Sequence, residues 1–421
     1  MKRIVIIGGG FAGVNFARGL AGKEGYQVTL VDRNNYNFFP PLLYQVATGF
    51  LAPSNISYPF RKLFRHAKNI NFCMGELQQV KAEQMKVVLS SGELPYDYLV
   101  FAQGATTNYF GMENVRQNAL PMKTLSDALA LRNHLLRQVE QSVFTEDAKE
   151  RQKLLNVVVV GSGPTGVEVS GMLADIRKHI LPKDYPDIPG IRDKVNIYLV
   201  DGLDAVLKPM SPKSQQDSFD ALKSMGVEIM LGRQVKDYAD DVVTFTNGES
   251  ITTKTLVWAA GVTGVTFDGI PPECYGRGKR LIVNQFNKVI GMEGTYALGD
   301  CCIQTTDLAF PNGHPQMAQP GIQQGINLAK NFLAVRDNQP LKEFSYHDKG
   351  SMAIIGRNKA VVDLPGNKMH FKGFIAWFMW LFIHLISLVS RRNRITTLYN
   401  WAGAYFSRDQ SLRMILRPSR E

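Results

Sequence analysis

Two glycine-rich stretches constrain this chain more than any other feature: Gly8-Gly9-Gly10-Phe11-Ala12-Gly13 and Gly161-Ser162-Gly163-Pro164-Thr165-Gly166. Each follows a short apolar run, IVII at residues 4–7 and VVVV at residues 157–160. The pattern predicts a strand, a tight turn and a helix whose N-terminus receives a pyrophosphate. The first two glycines (Gly8 and Gly10, Gly161 and Gly163) permit the turn and a close backbone approach. The third (Gly13, Gly166) lets helix and strand pack. One such motif is weak evidence, but two behind β-branched strands imply two dinucleotides in one protein, most economically a flavin fed by a nicotinamide.

Acidic residues fall where that reading requires them. Residues 28–31 (VTLV) form a second apolar strand ending at Asp32, close to the ~20-residue spacing expected of a carboxylate on a ribose hydroxyl. The matching strand at residues 195–200 ends at Asp201 after a longer gap. An insertion around residues 177–192, containing Pro182, Pro186 and Pro189, accounts for the excess. A carboxylate here repels a 2′-phosphate, so Asp201 favours NADH over NADPH. The competing reading is a strand-end cap that binds nothing.

At 421 residues the chain should hold two or three domains. Cys73, Cys274, Cys301 and Cys302 show no metal-like spacing and no CxxC, so neither zinc nor a disulfide scaffold is expected. The apolar run after Lys2-Arg3 is too short for a signal peptide, which places the protein in the cytoplasm.

The net charge of +11 matters mainly through its distribution. From Lys372 onward the basic residues Arg391, Arg392, Arg394, Arg408, Arg413, Arg417 and Arg420 face only Asp409 and Glu421. Nucleic acid or an anionic membrane would suit such a surface, and the neighbouring residues favour the membrane. Residues 373–389 (GFIAWFMWLFIHLISLV) carry no charge, and a second aromatic stretch spans residues 398–406. The first run makes a helix of about 25 Å, short of a ~30 Å hydrocarbon core. Two short Trp/Tyr-rich, arginine-flanked segments predict a monotopic anchor lying in the interface, with no nucleic acid bound. A core helix with a homodimer-forming helix is the alternative.

The organisation is interleaved. The first unit continues through a strand at residues 87–89, a hairpin at 90–93 and a strand at 98–101. An amphipathic helix is expected over 124–142, with Leu125, Leu129, Leu136 and Val139 at helical spacing. Residues 343–363 alternate like strands. The fold class is α/β: two Rossmann-like, glutathione-reductase-like dinucleotide-binding domains plus a C-terminal membrane-anchoring helical segment. The expected division is an FAD-binding domain at 1–115 and 290–340, an NADH-binding domain at 116–289, and C-terminal strands and anchor at 341–421.

The stretches LVWAAG (256–261) and YALGDCC (296–302), with the two dinucleotide motifs, resemble the two-dinucleotide-binding flavoprotein superfamily. PLLYQVATG (41–49), AQPGIQQGINLA (318–329), GSMAIIGRNKAVVD (350–363) and the Trp-rich C-terminus resemble type II NADH dehydrogenases, the non-pumping NADH:quinone oxidoreductases. The resemblance covers essentially the whole chain. It implies non-covalent FAD held by Gly8, Gly10, Gly13 and Asp32, with the backbone of Val80 by the adenine. Asp300 would bond the ribityl chain, Gly299 allowing that approach. NADH would lie on Gly161, Gly163, Gly166 and Asp201.

Glu168 resembles a residue near the flavin's nicotinamide face that serves substrate placement or proton handling; its bland reading is a glutamate complementing the helix dipole. Gln319 and Gln323 resemble paired glutamines at the quinone site, whose amides can donate to a quinone carbonyl. Pro320-Gly321 depart from the family pattern between them. Pro320 fits only a first helical turn, which makes Gln319 a cap and weakens a shared face. The N–H groups of the same helix start, including that of Ala318, would point at the flavin C2 carbonyl.

The expected function is hydride transfer from NADH to FAD, then two electrons to a membrane quinone, without charge translocation, at the cytoplasmic face of the cell membrane. A sulfide:quinone oxidoreductase would need spaced redox cysteines near the flavin, which Cys301-Cys302, Cys73 and Cys274 do not obviously supply. A membrane-docked NADH-binding flavoprotein acting as a redox module would show flavin reduction without turnover.

Overall fold

The computed structural model describes residues 1–367, 369–407, 409 and 412–416. Arg408, Arg417, Arg420 and Glu421 lie outside them. The chain packs as two compact units, one of residues 1–38, 57–106 and 262–348, the other of 39–56, 107–261 and 349–421.

The first unit is built on a five-stranded parallel sheet in the order Thr295–Ala297, Tyr98–Phe101, Lys2–Ile7, Tyr26–Asp32, Ile70–Met74. Strands buried on both faces explain the unbroken apolar runs, since alternation appears only where one face meets water. The chain moves outward from Lys2–Ile7 to one side and then returns to its other side. This creates a switch point at the C-terminal end of Lys2–Ile7, where the first glycine loop sits. The helices Phe11–Leu20 and Ala318–Arg336 cross closely because Gly325 packs on the Ala12 carbonyl and Gly19 on Ala329. The hairpin Lys86–Leu89/Gly92–Pro95 turns at the predicted residues.

The second unit repeats the design. Its parallel sheet runs Leu120–Pro121, Thr255–Trp258, Asn156–Val160, Asn196–Asp201, Glu228–Leu231. The proline-rich insertion forms two short helices, Leu181–Asp184 and Ile191–Lys194, between the Pro164–His179 helix and its returning strand. The predicted amphipathic helix is Leu125–Phe144, capped by Thr124 with Asp127 completing a capping box. Its inner face departs from expectation: Arg132 and Gln138 are buried, whereas Leu129, Leu136 and Val139 are only half-buried.

Residues 343–350 carry no regular structure; the strands are Ser351–Gly356, Lys359–Asp363 and His370–Lys372, an antiparallel sheet. The Pro164–His179 helix packs on the first of these through Gly171, where an added Cβ would overlap the Ile355 carbonyl oxygen.

Two helical glycines should therefore respond oppositely to alanine. Gly171→Ala is expected to lower stability by about 1–3 kcal/mol through overpacking against backbone. Gly403→Ala, in the Arg391–Ser407 helix with nothing within 4 Å of its added Cβ, should raise it by about 0.4–1 kcal/mol. Denaturant midpoints of the two variants check this; equal effects would refute the packing argument.

Candidate active site

In the first unit, Gly8 turns the chain at φ +104°, and a Cβ on Gly13 would overlap the Gly8 carbonyl oxygen. The second unit matches it: Gly161 has φ +105°, and a Cβ on Gly166 would overlap the Gly161 carbonyl. The middle glycines differ. An added Cβ at Gly163 meets nothing within 4 Å, and at Gly10 only the Ala102 carbonyl oxygen at 3.9 Å. The protein's own packing does not demand glycine at these two positions, whereas close approach by a ligand does.

The helix ends point the same way. Phe11–Leu20, Pro164–His179 and Ala318–Arg336 start from Gly10, Gly163 and Met317, with no side-chain cap. By contrast Leu125–Phe144, Ala148–Leu155 and Pro212–Ser224 are capped by Thr124, Asp147 and Ser211. Uncapped first-turn N–H groups and the positive end of the dipole suit anionic phosphates and an electron-rich carbonyl. The residues present therefore fit a dinucleotide at each glycine loop and a polar ring edge at Ala318.

Asp32 and Asp201 occupy equivalent positions and do more than expected. Asp32 Oδ2 accepts from the Gly9 N–H at 2.7 Å and Oδ1 from the Asn34 N–H at 2.8 Å. Asp201 Oδ2 accepts from the Ser162 N–H at 2.6 Å and its hydroxyl at 2.8 Å, and Oδ1 from the Leu203 N–H at 2.8 Å. Burial raises the Asp32 carboxyl above its ordinary value, against the pull of the Asn34 and Gly9 N–H groups. Each carboxylate thus braces the glycine loop beside it. Val80 is buried, and its N–H already donates to the Asp268 carbonyl at 2.9 Å.

Around Gly299, which has φ +73°, the short turn Gly299–Cys301 carries Asp300. Gln316 Nε2 donates to the Asp300 carbonyl at 3.1 Å. Ala318 is the first residue of its helix and Met317 the cap, so Gln319 is helical and shares a face with Gln323 after all. Pro320 is accommodated because it lies in the first turn. The two amides are not equivalent. Gln323 donates to the His347 carbonyl at 2.9 Å and accepts from its N–H at 3.1 Å, while the Gln319 amide oxygen is buried without a partner. Sequence reasoning missed Gln324, whose Oε1 accepts from the Gly299 N–H at 2.6 Å. The helical phase of the buried Leu328 and Phe332 was the available signal, because it turns Gln324, not Gln323, inward.

In the second unit, Glu168 is the fifth residue of the Pro164–His179 helix and is buried. Burial pushes its carboxyl well above the ordinary 4.5; the Ile354 N–H and, with poor hydrogen-bond geometry, the Trp380 indole N–H act against that shift. Glu168 is therefore enclosed by protein rather than facing solvent at the helix start. Tyr44 is fully buried, and burial together with the Glu168 charge pushes its phenol well above the ordinary range. Gln45 Nε2 donates to Tyr44 Oη at 2.8 Å, and Trp401 Nε1 donates to Gln45 Oε1 at 2.7 Å. Trp380 stacks on His384 with ring centroids 3.8 Å apart, and burial drives His384 down to about 4, leaving it neutral. The PLLYQVATG stretch and both C-terminal helices thus belong to one buried polar cluster with Glu168, which separate motif readings did not reveal.

All four cysteines are free thiols. Burial pushes Cys301 up to about 12 and Cys302 well above its ordinary value, so neither is a thiolate at neutral pH.

Two dinucleotide cradles on parallel sheets define a pyridine-nucleotide-dependent flavoprotein. The chain matches the pyridine nucleotide-disulphide oxidoreductase family over residues 2–325 and the NDH2 C-terminal domain over residues 348–409. It is 34% identical over 420 residues to the type II NADH:quinone oxidoreductase Ndh of Mycobacterium tuberculosis, covering 96% of this chain and 88% of that one. The corresponding Haemophilus influenzae enzyme is 29% identical, with 91% of this chain and 93% of that one covered. In fold it is similar to NDH2 of Plasmodium falciparum in complex with NADH, with TM-score 0.89 at 22% identity over 99% and 100% of the two chains. The chain belongs to the type II NADH:quinone oxidoreductase family.

Glu168 supplies a test in stability. The folded state keeps this proton at pH values where the unfolded chain has lost it. Its contribution therefore falls as pH rises from 4.5 through the raised value. Glu168→Gln, which keeps the shape without the titration, is expected to raise the denaturant midpoint at pH 8 and to match the parent near pH 4.5. A Gln variant less stable than the parent at pH 8 would show that the ionised carboxylate is the form the fold prefers.

Proposed function

We propose that this protein is an FAD-dependent NADH:quinone oxidoreductase working at a membrane surface. The paired glycine loops, each braced by a carboxylate and each opening an uncapped helix, carry this reading. Gly8, Gly10, Gly13 and Asp32 hold the FAD pyrophosphate and ribose, Asp300 the ribityl chain and Ala318 the flavin edge. Gly161, Gly163, Gly166 and Asp201 hold NADH. The chemistry supplied there would be FAD's when bound: hydride acceptance from NADH and two-electron donation to a quinone.

The chain's own residues place the reactants and manage protons. Gln319, with a buried and unpartnered amide oxygen, is better placed than Gln323 to meet a quinone, because Gln323 is bonded on both sides to His347. Burial raises the Glu168 carboxyl well above its ordinary value, the direction a proton donor to a reduced quinone needs. A sulfide:quinone or disulfide mechanism lacks support, since the buried Cys301 and Cys302 are protonated thiols.

The anchor reading rests on a division of labour within the C-terminal helices. In Gly373–Ser387 and Arg391–Ser407, Trp380 and Trp401 are buried, while Phe374, Phe378, Phe382, Ile386, Leu398 and Tyr399 are exposed. Among the described residues no helix is long and apolar enough to cross a membrane, and an apolar face beside exposed arginines suits the interface. The arginine contribution is smaller than composition implies. Lys372 pairs with Asp217, Arg413 with Asp184 and Asp409, and Arg394 donates to the Leu388 carbonyl, whereas Arg391 and Arg392 remain exposed. The membrane is the cytoplasmic leaflet, where anionic lipid is met.

Asp201→Ser is expected to narrow the preference for NADH over NADPH, read as the ratio of kcat/KM values. An unchanged ratio would give ribose reading to another residue. Deleting the C-terminal helices would also remove buried tryptophans, so charge on the exposed face is the cleaner membrane test. Phe378→Glu with Phe382→Glu should weaken sedimentation with anionic vesicles at least ~10-fold, because burying each Phe is worth about 1.5–3 kcal/mol. Turnover with a short-tailed soluble quinone should persist. Undiminished vesicle binding would assign that face to another partner, a second copy of the chain included.

A further inference from the structure

We propose that the second unit holds a short-chain monocarboxylate on Arg132, in a cavity apart from the glycine loop whose wall also takes in Ala47, Thr48 and Gly49 of the PLLYQVATG stretch. The cavity has a volume of about 80 Å³ and a wall that is almost wholly apolar, built by Leu136, Val139, Leu155, Leu173, Ile176 and Ile197. Arg132 of the Leu125–Phe144 helix also lines it.

Arg132 is only 5% exposed, and its Nε and Nη2 are buried with no acceptor. Among the described residues it makes no hydrogen bond and no ion pair. The one carboxylate on the wall, Asp184, is already bound to Arg413 Nε at 2.6 Å. Burial lowers the Arg132 pKa, but a guanidinium stays protonated in proteins. The fold therefore carries a buried cation with unused donors beside empty apolar volume. Such a charge is tolerated when a counter-charge and hydrogen bonds are supplied.

Three features narrow the occupant. Planar paired N–H donors match a two-oxygen anion, which an alcohol or an amine does not offer. The apolar wall excludes a second charge or a sugar, which removes phosphates and nucleotides. Size sets the rest. A cavity of about 150 Å³ takes a benzene ring, so roughly half that volume takes about three or four non-hydrogen atoms, which is formate or acetate. Gln138, also on the wall, buries an amide oxygen without a partner.

The test uses the full chain with its flavin, and acetate as the probe. Titration of ¹³C-labelled acetate followed by NMR, with chloride-matched ionic strength, is expected to show saturable binding and an acetate-dependent rise in the thermal midpoint. Ethanol and ethylamine should give neither, and valerate should bind at least ~10-fold more weakly because its chain exceeds the volume. Arg132→Met should lose the acetate response while unfolding, without acetate, at a temperature no lower than the parent, since an unpaired buried charge has been removed. Leu173→Phe, which fills the cavity and keeps Arg132, should also lose the response. The proposal is overturned if acetate does not bind saturably, if Arg132→Met still responds to it, or if Arg132→Met is destabilised without ligand. The last result would show that the guanidinium already has a partner in the native protein.

Discussion

The architecture hangs on one hydrogen bond used twice, from a glycine-loop N–H to a carboxylate at the end of the neighbouring strand. Asp32 takes it from Gly9 and Asp201 from Ser162. That bond fixes where the loop turns, and the turn decides where the following helix begins and which way its first-turn N–H groups point. A charged acceptor makes the bond stronger than a neutral one and holds the loop shape before any ligand arrives. The third glycine, seated on the carbonyl of the first, then locks helix to strand. Identical logic in two sheets with no sequence identity required between them shows how few residues the cradle needs.

The C-terminal segment has two loyalties. Its sequence offered a choice between membrane anchor and core, and the structure uses different faces of the same helices for each. Trp401 donates to Gln45, Trp380 lies against the Glu168 region, and the phenylalanines of the same helix remain on the surface. A buried carboxylate among aromatic rings is costly unless it is protonated, and burial accordingly pushes the Glu168 carboxyl well above its ordinary value.

Much of this was legible in the residues. Glycine spacing and β-branched runs gave both parallel sheets and the three-residue logic of each loop, because those features answer to local sterics. The hairpin at residues 90–93 was local too. Tertiary pairings were hidden. Nothing in PLLYQVATG says that its Gln45 meets a tryptophan at position 401, and nothing in an amphipathic pattern says that Arg132 lies inside. Gln319 was read as the cap because Pro320 was placed in the first turn directly after it, whereas the cap is Met317, two residues earlier, and Pro320 is the third helical residue, still in the first turn. The glutamine pair was legible as a pair, but which amide was spent on a neighbouring backbone was not.

The interleaving of the units has a consequence for biosynthesis. The first sheet takes an edge strand, Thr295–Ala297, that leaves the ribosome long after its central strand Lys2–Ile7. The second unit takes in residues 39–56 early and its last helices at the end of synthesis. Neither unit can finish from a contiguous stretch of nascent chain, so domain-by-domain folding during translation is closed to this protein. Loop closure over such separations is slow, and until it occurs the Tyr98–Phe101 strand lacks the neighbour on its outer edge. A nascent chain of this design needs shielding until its last third is made.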